Sequence, residues 1–139
     1  QLKTDLNNRE HSNLDSINHN YDYKVAHQMY MRGKFNTSLD KFKFLLENNI
    51  SEDLADNCQF WIGQIFFSKK EYSNAIREFN KVLEYKNSNK KSESIYKIGL
   101  SYLKLGQNTK AKEMFETIIN NYPKSKYYSK SSEFLLNLK

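Results

Sequence analysis

A segment of this sequence repeats after 36 residues, and this self-similarity constrains the fold more than any other feature. Residues 60–67, Phe-Trp-Ile-Gly-Gln-Ile-Phe-Phe, align with residues 96–103, Tyr-Lys-Ile-Gly-Leu-Ser-Tyr-Leu. The same offset aligns residues 75–79 with residues 111–115, and a weaker third copy lies 37 positions upstream. A period between about 20 and 50 residues is typical of repeat proteins, in which each unit buries its apolar face by stacking on the next.

Small residues stand at fixed places within each copy, and they indicate that two helices approach closely. Gly63 and Gly99 lie in the middle of helical segments, where glycine costs about 1 kcal/mol relative to alanine. Such a placement implies that another backbone packs against the glycine, and Ala75 and Ala111 are the expected facing contacts. The first copy also has small residues at these two places, Ala26 and Ser38.

Apolar periodicity, turn residues and N-cap signals divide the chain into helices. We predict helices over residues 21–33, 36–48, 52–69, 72–86, 90–105, 108–121 and 125–138. Gly106 is placed to end the helix before it with a left-handed C-cap. Arg9 and Asn13 interrupt the apolar seam of residues 1–20, which are therefore expected to form a linker or a frayed helix.

The last of these helices follows the third copy of the repeat. Its apolar side chains can cover the open end of that copy, and they are Tyr127, Tyr128, Phe134, Leu135 and Leu138. Ser131 and the neighbouring lysines are expected to face water. The segment therefore predicts a C-terminal capping helix.

The last copy carries the pattern Ile98-Gly99-x2-Tyr102, then Ala111-x3-Phe115, then Pro123. It resembles the tetratricopeptide repeat, whose pattern runs Trp-x2-Leu-Gly-x2-Tyr, then Ala-x3-Phe, then Pro. The resemblance implies an all-α fold, a right-handed α-solenoid of three tetratricopeptide helix hairpins plus the capping helix. The tetratricopeptide domain would span residues 21–139, with repeats at about 21–51, 52–88 and 89–124 and the capping helix at 125–138.

The composition narrows the partners that such a fold could have. Of the 139 residues, 38% are hydrophobic, but no stretch approaches the roughly eighteen uninterrupted apolar residues of a membrane span, so no membrane insertion is expected. The formal charge is +6, and the excess of Lys and Arg lies after residue 70. An acidic partner, nucleic acid or an anionic surface would suit this excess. Coding bias explains it equally, because Asn is abundant beside Lys, and we expect no nucleic-acid partner.

Residues for catalysis or metal binding do not cluster in the sequence. It contains no phosphate-binding glycine loop, no cysteine pair and no nucleophile elbow. His11, His19 and His27 stand eight residues apart, two turns on a continuous helix, which is too far to share a metal ion. Cys58 falls in an apolar helical run and is expected to be buried. We therefore predict a non-enzymatic protein without metal or cofactor.

The first helix of each predicted pair has two distinct faces. One packs within its own pair, and the other would line the concave groove with which solenoids bind extended or helical protein ligands. This second face is rich in aromatic residues, which anchor interfaces at low entropic cost. Its predicted members are Tyr23, His27, Tyr30, Asn57, Phe60, Trp61, Gln64, Phe67, Tyr96, Lys97, Leu100 and Lys104. The alternative for Phe60, Phe67 and Leu103 is packing between adjacent first helices.

Residues 55–64 and 72–83, together with Tyr122-Pro123-Lys124-Ser125, are also similar to the C-terminal domain of the CpoB (YbgF) family, the coordinators of the Tol-Pal system. That resemblance implies a periplasmic, non-enzymatic adaptor that binds TolA and a peptidoglycan synthase during cell division. Outer-membrane assembly lipoproteins such as BamD use similar repeats. The alternative function is therefore a structural repeat segment of an outer-membrane assembly or secretion lipoprotein.

Overall fold

The computed structural model describes residues 1–48 and 50–138, and of residues 11–17 it describes the backbone alone. The regular elements in this part of the chain are α-helices, as predicted. In chain order they are α1 (Leu2–Met31), α2 (Phe35–Glu47), α3 (Glu52–Ser68), α4 (Tyr72–Val82), α5 (Lys91–Lys104), α6 (Asn108–Asn121) and α7 (Tyr128–Asn137). The chain forms two compact units, residues 1–58 and residues 59–139, which we call the N-terminal unit and the C-terminal unit.

Helix α1 is longer than the sequence pattern indicates. It begins at Leu2, whereas the first helix is predicted from about residue 21. No Pro or Gly interrupts the first 32 residues, so the backbone can remain helical without an apolar face, and residues 1–10 are exposed throughout. The segment expected to be a linker or a frayed helix is therefore helical, while a domain boundary at residue 20 stays a prediction.

The N-terminal unit is built on the packing of α1 against α2. Ala26 of α1 and Phe42 and Leu45 of α2 are buried, and the ring of Tyr23 meets that of Phe42 edge-on, with 5.7 Å between centroids. The two small residues of the first copy lie together, because the hydroxyl of Ser38 donates a hydrogen bond of 2.7 Å to the carbonyl of Ala26. A larger side chain at either place would force the helices apart.

The C-terminal unit contains two adjoining apolar clusters, one for each of its repeats. The first cluster surrounds Phe79 of α4, and the second surrounds Phe115 of α6. Both rings are fully buried. These two phenylalanines occupy equivalent positions in the 36-residue repeat, so the repetition in sequence corresponds to a repetition of the core.

Helix α7 covers the second cluster, as the predicted capping helix should. Phe134 stacks on Phe115 with 4.8 Å between ring centroids. Tyr127, which precedes the helix, stacks on Tyr96 with 4.6 Å between centroids. Leu135 packs against the same cluster.

Two residues of this segment lie differently from the prediction. Ser131 is fully buried rather than facing water, because it follows Tyr127 by four residues and precedes Phe134 by three, which places it on their face of the helix. Its hydroxyl has no hydrogen-bond partner among the described residues. Tyr128, expected in the cover, is 37% exposed.

Gly63 and Gly99 each lie against an aromatic ring of the following helix. A Cβ placed on Gly63 would lie 2.6 Å from Cδ1 of Phe79, and one placed on Gly99 would lie 2.8 Å from Cε1 of Phe115. Both distances are well inside van der Waals contact. Each glycine does have a close neighbour, but the nearest atoms belong to side chains and not to another backbone or to Ala75 and Ala111. The nearest atoms belong to the rings four residues beyond the two alanines, because a planar ring fills the space that each glycine leaves.

Within each hairpin a tight turn joins the first helix to the second, and the three turns have the same backbone geometry. Gly33, Lys70 and Gly106 have φ angles of 75°, 62° and 74°, in the left-handed region. In each turn the N–H of this residue donates to the carbonyl three residues earlier, and the N–H of the next residue donates to the carbonyl five residues before it. These are the two hydrogen bonds of the Schellman C-cap, so Gly106 caps its helix as predicted.

Lys70 is the residue with a Cβ in this set, and the left-handed conformation costs such a residue about 1–2 kcal/mol. Glycine at this position would remove that strain, but it would also make the unfolded chain more flexible, which favours unfolding by about 0.4–1 kcal/mol. We therefore expect Lys70→Gly to raise the free energy of unfolding by about 0.5 kcal/mol, measured by urea titration with Trp61 fluorescence, and Gly106→Lys to lower it. A less stable Lys70→Gly protein would contradict this account of the turn.

Candidate functional site

The side chains predicted to bind a partner are found in both compact units, and each unit is described by itself. In the N-terminal unit, Tyr23, His27 and Tyr30 of α1 are partly buried, as is Asn57 of α3. The ring centroid of Tyr30 lies 5.5 Å from that of Phe35. These side chains therefore help to pack their unit while part of their surface stays accessible.

Phe60 lies in the core of the C-terminal unit and is only 3% exposed. Its ring centroid is 5.6 Å from those of Trp61 and Phe79, and Nζ of Lys90 lies 5.1 Å above it. Phe60 is therefore a buried core residue, and its ring meets Phe79 of the second helix of its own hairpin. Trp61 remains partly exposed.

Tyr96 is also covered, with 6% of its surface exposed. The ring of Tyr127 is stacked on it. The Tyr127 hydroxyl is hydrogen-bonded to Glu93, and burial, followed by this hydrogen bond, raises the pKa of Tyr127. Burial, and then the charge of Glu133, raise the pKa of Tyr96. The sequence predicts that Tyr127 helps to cover the open end of the third copy, but it does not predict that Tyr96, a member of the predicted binding face, is the ring that Tyr127 covers.

Lys97, Leu100 and Lys104 form a continuous strip along α5, which we call the α5 strip. They are spaced by three and four residues and so share one face of the helix. Lys104 is exposed, and the other two are partly exposed. Nζ of Lys97 lies 4.7 Å from the ring centroid of Phe67, a cation–π contact. The strip therefore combines an aliphatic centre with a positive charge at each end.

A cleft of about 210 Å³, which sequence reasoning did not reveal, opens close to the α5 strip. It is lined by Tyr96, Lys130, Glu133, Phe134 and Asn137. Tyr96, which lines the cleft, adjoins Lys97 on α5, so the cleft lies close to the strip. Burial lowers the pKa of Lys97, the charge of Glu93 opposes that shift, and the charge of Lys130 adds to it. The cleft escapes sequence reasoning because only the docking of α7 brings its lining residues to Tyr96.

Another cleft, of about 260 Å³, lies on the N-terminal unit. It is lined by Asp22, Asp40, Lys41 and Phe44. Phe44 is 58% exposed, although its neighbours Phe42 and Leu45 are buried. The sequence does not predict that Phe44 is exposed, because it stands beside two core residues in the apolar pattern of α2.

Cys58 is fully buried, as predicted. Burial, and then the charge of Asp56, raise the pKa of its thiol from 9.0 to about 12. At pH 8 we expect a thiol reagent such as dithionitrobenzoate to modify the folded protein no faster than it unfolds, because the thiolate is the reactive form. Rapid modification without denaturant, at a rate proportional to reagent concentration, would contradict this burial.

The same shift predicts a pH dependence of stability. The pKa of Cys58 is higher in the folded state than in the unfolded chain. The free energy of unfolding that this difference contributes is therefore complete below pH 9 and is lost as the pH rises from 9 towards 12. A Cys58→Ala protein should therefore lose less stability than the parent protein between pH 8 and pH 10. Equal losses in the two proteins would contradict the linkage.

Among the described residues, no group of three or more His, Cys, Asp or Glu side chains is arranged to hold a metal ion. The side chain of His11, one of the three histidines considered above, lies outside the described residues. Over the same part of the chain, no helix has both the length and the apolar content needed to cross a membrane.

The two hairpins of the C-terminal half match a known repeat family. Residues 57–89, which include most of α3 and all of α4, match the tetratricopeptide repeat, and so do residues 93–125, which include most of α5 and all of α6. In both hairpins a glycine of the first helix contacts a buried phenylalanine of the second. The chain thus carries tetratricopeptide repeats, and the predicted fold class, an α-solenoid of tetratricopeptide hairpins, is confirmed.

Solved structures share this fold. The type III secretion translocator chaperone SycD of Yersinia enterocolitica has a TM-score of 0.72 and 17% identity, over 88% of this chain and 92% of that one. The first tetratricopeptide domain of Spaghetti (RPAP3), bound to the HSP90 peptide SRMEEVD, has a TM-score of 0.70 and 13% identity, over 88% and 91% of the two chains. At these identities the likeness concerns the fold alone.

One curated protein is related in sequence. The outer membrane protein assembly factor BamD of Rickettsia prowazekii (strain Madrid E) is 25% identical over 132 residues, which cover 89% of this chain and 51% of the relative. The chain therefore spans about half the length of that protein. These matches support the tetratricopeptide resemblance, and the similarity to the CpoB family is not confirmed by them.

Proposed function

We propose that this chain is a non-catalytic protein-binding module of the cell envelope that acts in outer-membrane assembly. The observation that carries the proposal is the α5 strip, a partly exposed face on the first helix of a tetratricopeptide hairpin, with a cleft close to it. First helices of stacked hairpins supply the binding surface in this architecture. A partner segment lying along the strip would contact charged and apolar groups together.

The buried members of the predicted face give this surface a rigid base. Phe60 and Tyr96 are held in the core of the C-terminal unit, so they would position their neighbours rather than contact the partner. The side chains left for contact in this unit are Trp61, Gln64, Phe67, Lys97, Leu100 and Lys104. A surface fixed before binding loses little conformational entropy when the partner docks.

The envelope context rests on the curated relative, an outer membrane protein assembly factor that matches most of this chain. A periplasmic location follows from that context, and so does a role as the repeat segment of an assembly lipoprotein. A second candidate is an adaptor of the Tol-Pal system that binds a TolA-like protein or a peptidoglycan synthase. It is favoured by the similarity of residues 55–64, 72–83 and 122–125 to the CpoB family.

Peptide selection tests the binding function. We would select random twelve-residue displayed peptides on the full chain and measure the affinity of enriched, fluorescein-labelled peptides by anisotropy. Leu100→Ser and Trp61→Ala should each weaken binding at least tenfold with the helical circular dichroism unchanged. The control Phe44→Ser, on the N-terminal unit, should change affinity less than twofold. No enrichment over bare support, or binding indifferent to Leu100→Ser, would overturn the proposal.

Depletion of the protein in its own cells separates the two envelope roles. An outer-membrane assembly function predicts lower levels of outer-membrane proteins, whereas a Tol-Pal function predicts delayed constriction with those levels unchanged. Digestion of the protein by added protease only after the outer membrane is opened would support the periplasmic location. Digestion only after the inner membrane is also opened would contradict both roles.

A further inference from the structure

The first hairpin, formed by α1 and α2, has a face that is more exposed than the same face of the other two hairpins. Val25 and Asp22 of α1 are partly exposed. The residues at the same places of the repeat in the other copies are buried, namely Ile62 and Ile98 for Val25, and Gln59 and Ile95 for Asp22. The first hairpin therefore leaves open a surface that is buried in the second and third.

Contacts of the third copy show what covers this surface. Helix α4 packs against α5, and Ile98 of α5 is buried in the cluster around Phe79 of α4. Met114 of α6, which stands at the place of Lys41 in the repeat, packs against the same cluster. The surface is thus the one on which successive hairpins stack. In the first hairpin we call it the open face, and its members are Asp22, Val25 and Lys41, together with Asp40 and Phe44 of the same cleft.

Phe44 distinguishes the open face from a surface adapted to water alone. An end face of a repeat array is ordinarily polar, which keeps the protein soluble. The residues at the place of Phe44 in the other copies are polar, Lys81 and Thr117. Phe44 is instead an aromatic ring that is 58% exposed beside a cleft of about 260 Å³. Aromatic residues are enriched in the cores of protein interfaces, so the open face has the character of a docking surface.

The open face carries charges of both signs. Asp22 on α1 and Lys41 on α2 line the cleft from its two helices. In the part of the chain that the structure describes, neither takes part in an ion pair. A segment of a single charge sign would attract one of these two groups and repel the other. A second copy of this chain offers, on the same face, both a cation for Asp22 and a carboxylate for Lys41.

The register of α1 and α2 determines how two such faces can meet. The helices run antiparallel, and Tyr23 meets Phe42, so the preceding residues Asp22 and Lys41 lie nearly level across the cleft. In a twofold-symmetric interface, residue i of one copy contacts residue j of the other, and j contacts i. A twofold axis that passes through the cleft between Asp22 and Lys41 therefore places each of them opposite the other residue of the second copy.

The same axis brings apolar side chains together. Phe44 follows Lys41 by three residues on α2, and Val25 follows Asp22 by three residues on α1. Because the helices are antiparallel, these two side chains lie on opposite sides of the axis, and Phe44 of one copy lies opposite Val25 of the other. Two helical hairpins joined in this way form a four-helix bundle.

We propose that the open face joins two copies of this chain in a symmetric dimer. Asp22 of each copy pairs with Lys41 of the other, and Phe44 packs on Val25 across the interface. The contact uses residues of α1 and α2 and none of the α5 strip. The dimer therefore goes beyond the proposed binding function and does not depend on it.

The size and charge of the open face set the strength of the dimer. One face of a single hairpin makes a small interface, and Asp40, which is exposed, leaves each face with one negative charge in excess. We therefore expect a dissociation constant on the order of 50 µM, as in weak and transient interfaces. Most chains would then be paired at about 300 µM, whereas at about 2 µM, a concentration suited to urea titration, the protein would be monomeric.

Analytical ultracentrifugation of the full chain tests the proposal. Sedimentation equilibrium from about 2 to about 300 µM should fit a monomer and a dimer and no larger species. Phe44→Ser should weaken the dimer at least tenfold. The matched control is Leu136→Ser, which removes another exposed apolar side chain, 76% exposed on α7, and should change the dissociation constant less than twofold. Circular dichroism and urea titration confirm that each variant is folded.

Exchange of the two charges tests the pairing itself. Asp22→Lys places a lysine opposite Lys41 of the second copy, and Lys41→Asp places an aspartate opposite Asp22, so each variant alone should dimerise at least fivefold more weakly. An equimolar mixture of the two variants restores an attractive pair at both places. It should form a heterodimer with a dissociation constant within about twofold of that of the parent dimer. The control Lys34→Asp makes the same charge change in the turn between α1 and α2, and it should leave dimerisation within twofold of the parent.

Four results would overturn the proposal. A full chain that stays monomeric at about 300 µM would show that the open face does not bind a second copy and is left for another protein. Growth beyond the dimer would indicate a head-to-tail contact, which does not close on itself. Equal losses in Phe44→Ser and Leu136→Ser would indicate non-specific apolar association. A mixture of Asp22→Lys and Lys41→Asp that associates no better than either variant alone would exclude the symmetric pairing.

Discussion

Phe115→Ala lowers the free energy of unfolding by about 3–5 kcal/mol, the largest effect that we expect of a single substitution. The ring is fully buried, stacks on Phe134 at 4.8 Å and lies 6.0 Å from the ring of Tyr96. It also fills the space left by Gly99. Its removal therefore leaves a cavity at the junction of three helices, and a domain has only about 5–15 kcal/mol of stability in total.

Urea titration followed by circular dichroism and by Trp61 fluorescence measures this loss. The matched control is Phe44→Ala, which removes the same atoms from a ring that is 58% exposed and should change stability by about 0.5 kcal/mol or less. Amide hydrogen exchange should also quicken along α7, because its main stacking partner is gone. A loss below about 1 kcal/mol for Phe115→Ala would contradict the described core.

Gly63→Ala lowers the free energy of unfolding by about 1–2 kcal/mol, although alanine is the better helix former. In an open helix the substitution would add about 1 kcal/mol of stability. Here the new Cβ would lie 2.6 Å from Cδ1 of Phe79, a ring that is itself fully buried. Overpacking of this kind costs about 1–3 kcal/mol, so the contact outweighs the helix propensity and the sign of the effect is reversed.

A double-mutant cycle isolates the contact. Combining Gly63→Ala with Phe79→Leu, which shortens the opposing side chain, should recover at least about 1 kcal/mol relative to the sum of the two single changes. Gly99→Ala should behave like Gly63→Ala, since its Cβ would lie 2.8 Å from Cε1 of Phe115. Stabilisation by either glycine substitution alone would show that the two helices of the hairpin are not in close contact.

The glycines show how far the sequence predicts the packing. Their position in the middle of a helix implies a close neighbour on conformational grounds alone, and that prediction is confirmed. The identity of the neighbour is not implied, because spacing favours a small residue opposite a small residue. The fold instead places the ring of Phe79 or Phe115 against each glycine, and which residue lies there depends on the rotation of the second helix about its axis.

The binding face shows a similar limit. Helical periodicity places Phe60 and Tyr96 on the second face of their helices, but it does not say whether a neighbouring segment covers that face. Phe79 and Tyr127 cover these two rings, whereas Leu100 is partly exposed and Lys104 is exposed. Helical periodicity thus predicts the direction in which a side chain points. Whether that side chain is exposed depends on contacts with segments that are distant in sequence.

The central claim is that the first helices of the tetratricopeptide hairpins in the C-terminal unit contact the partner, and amide chemical-shift mapping tests it most directly. A peptide obtained by selection on the full chain would be titrated into the ¹⁵N-labelled protein. We expect the largest shifts at the amides of Trp61, Gln64, Phe67, Lys97, Leu100 and Lys104. Shifts confined to α4 and α6, with α3 and α5 unchanged, would contradict the account.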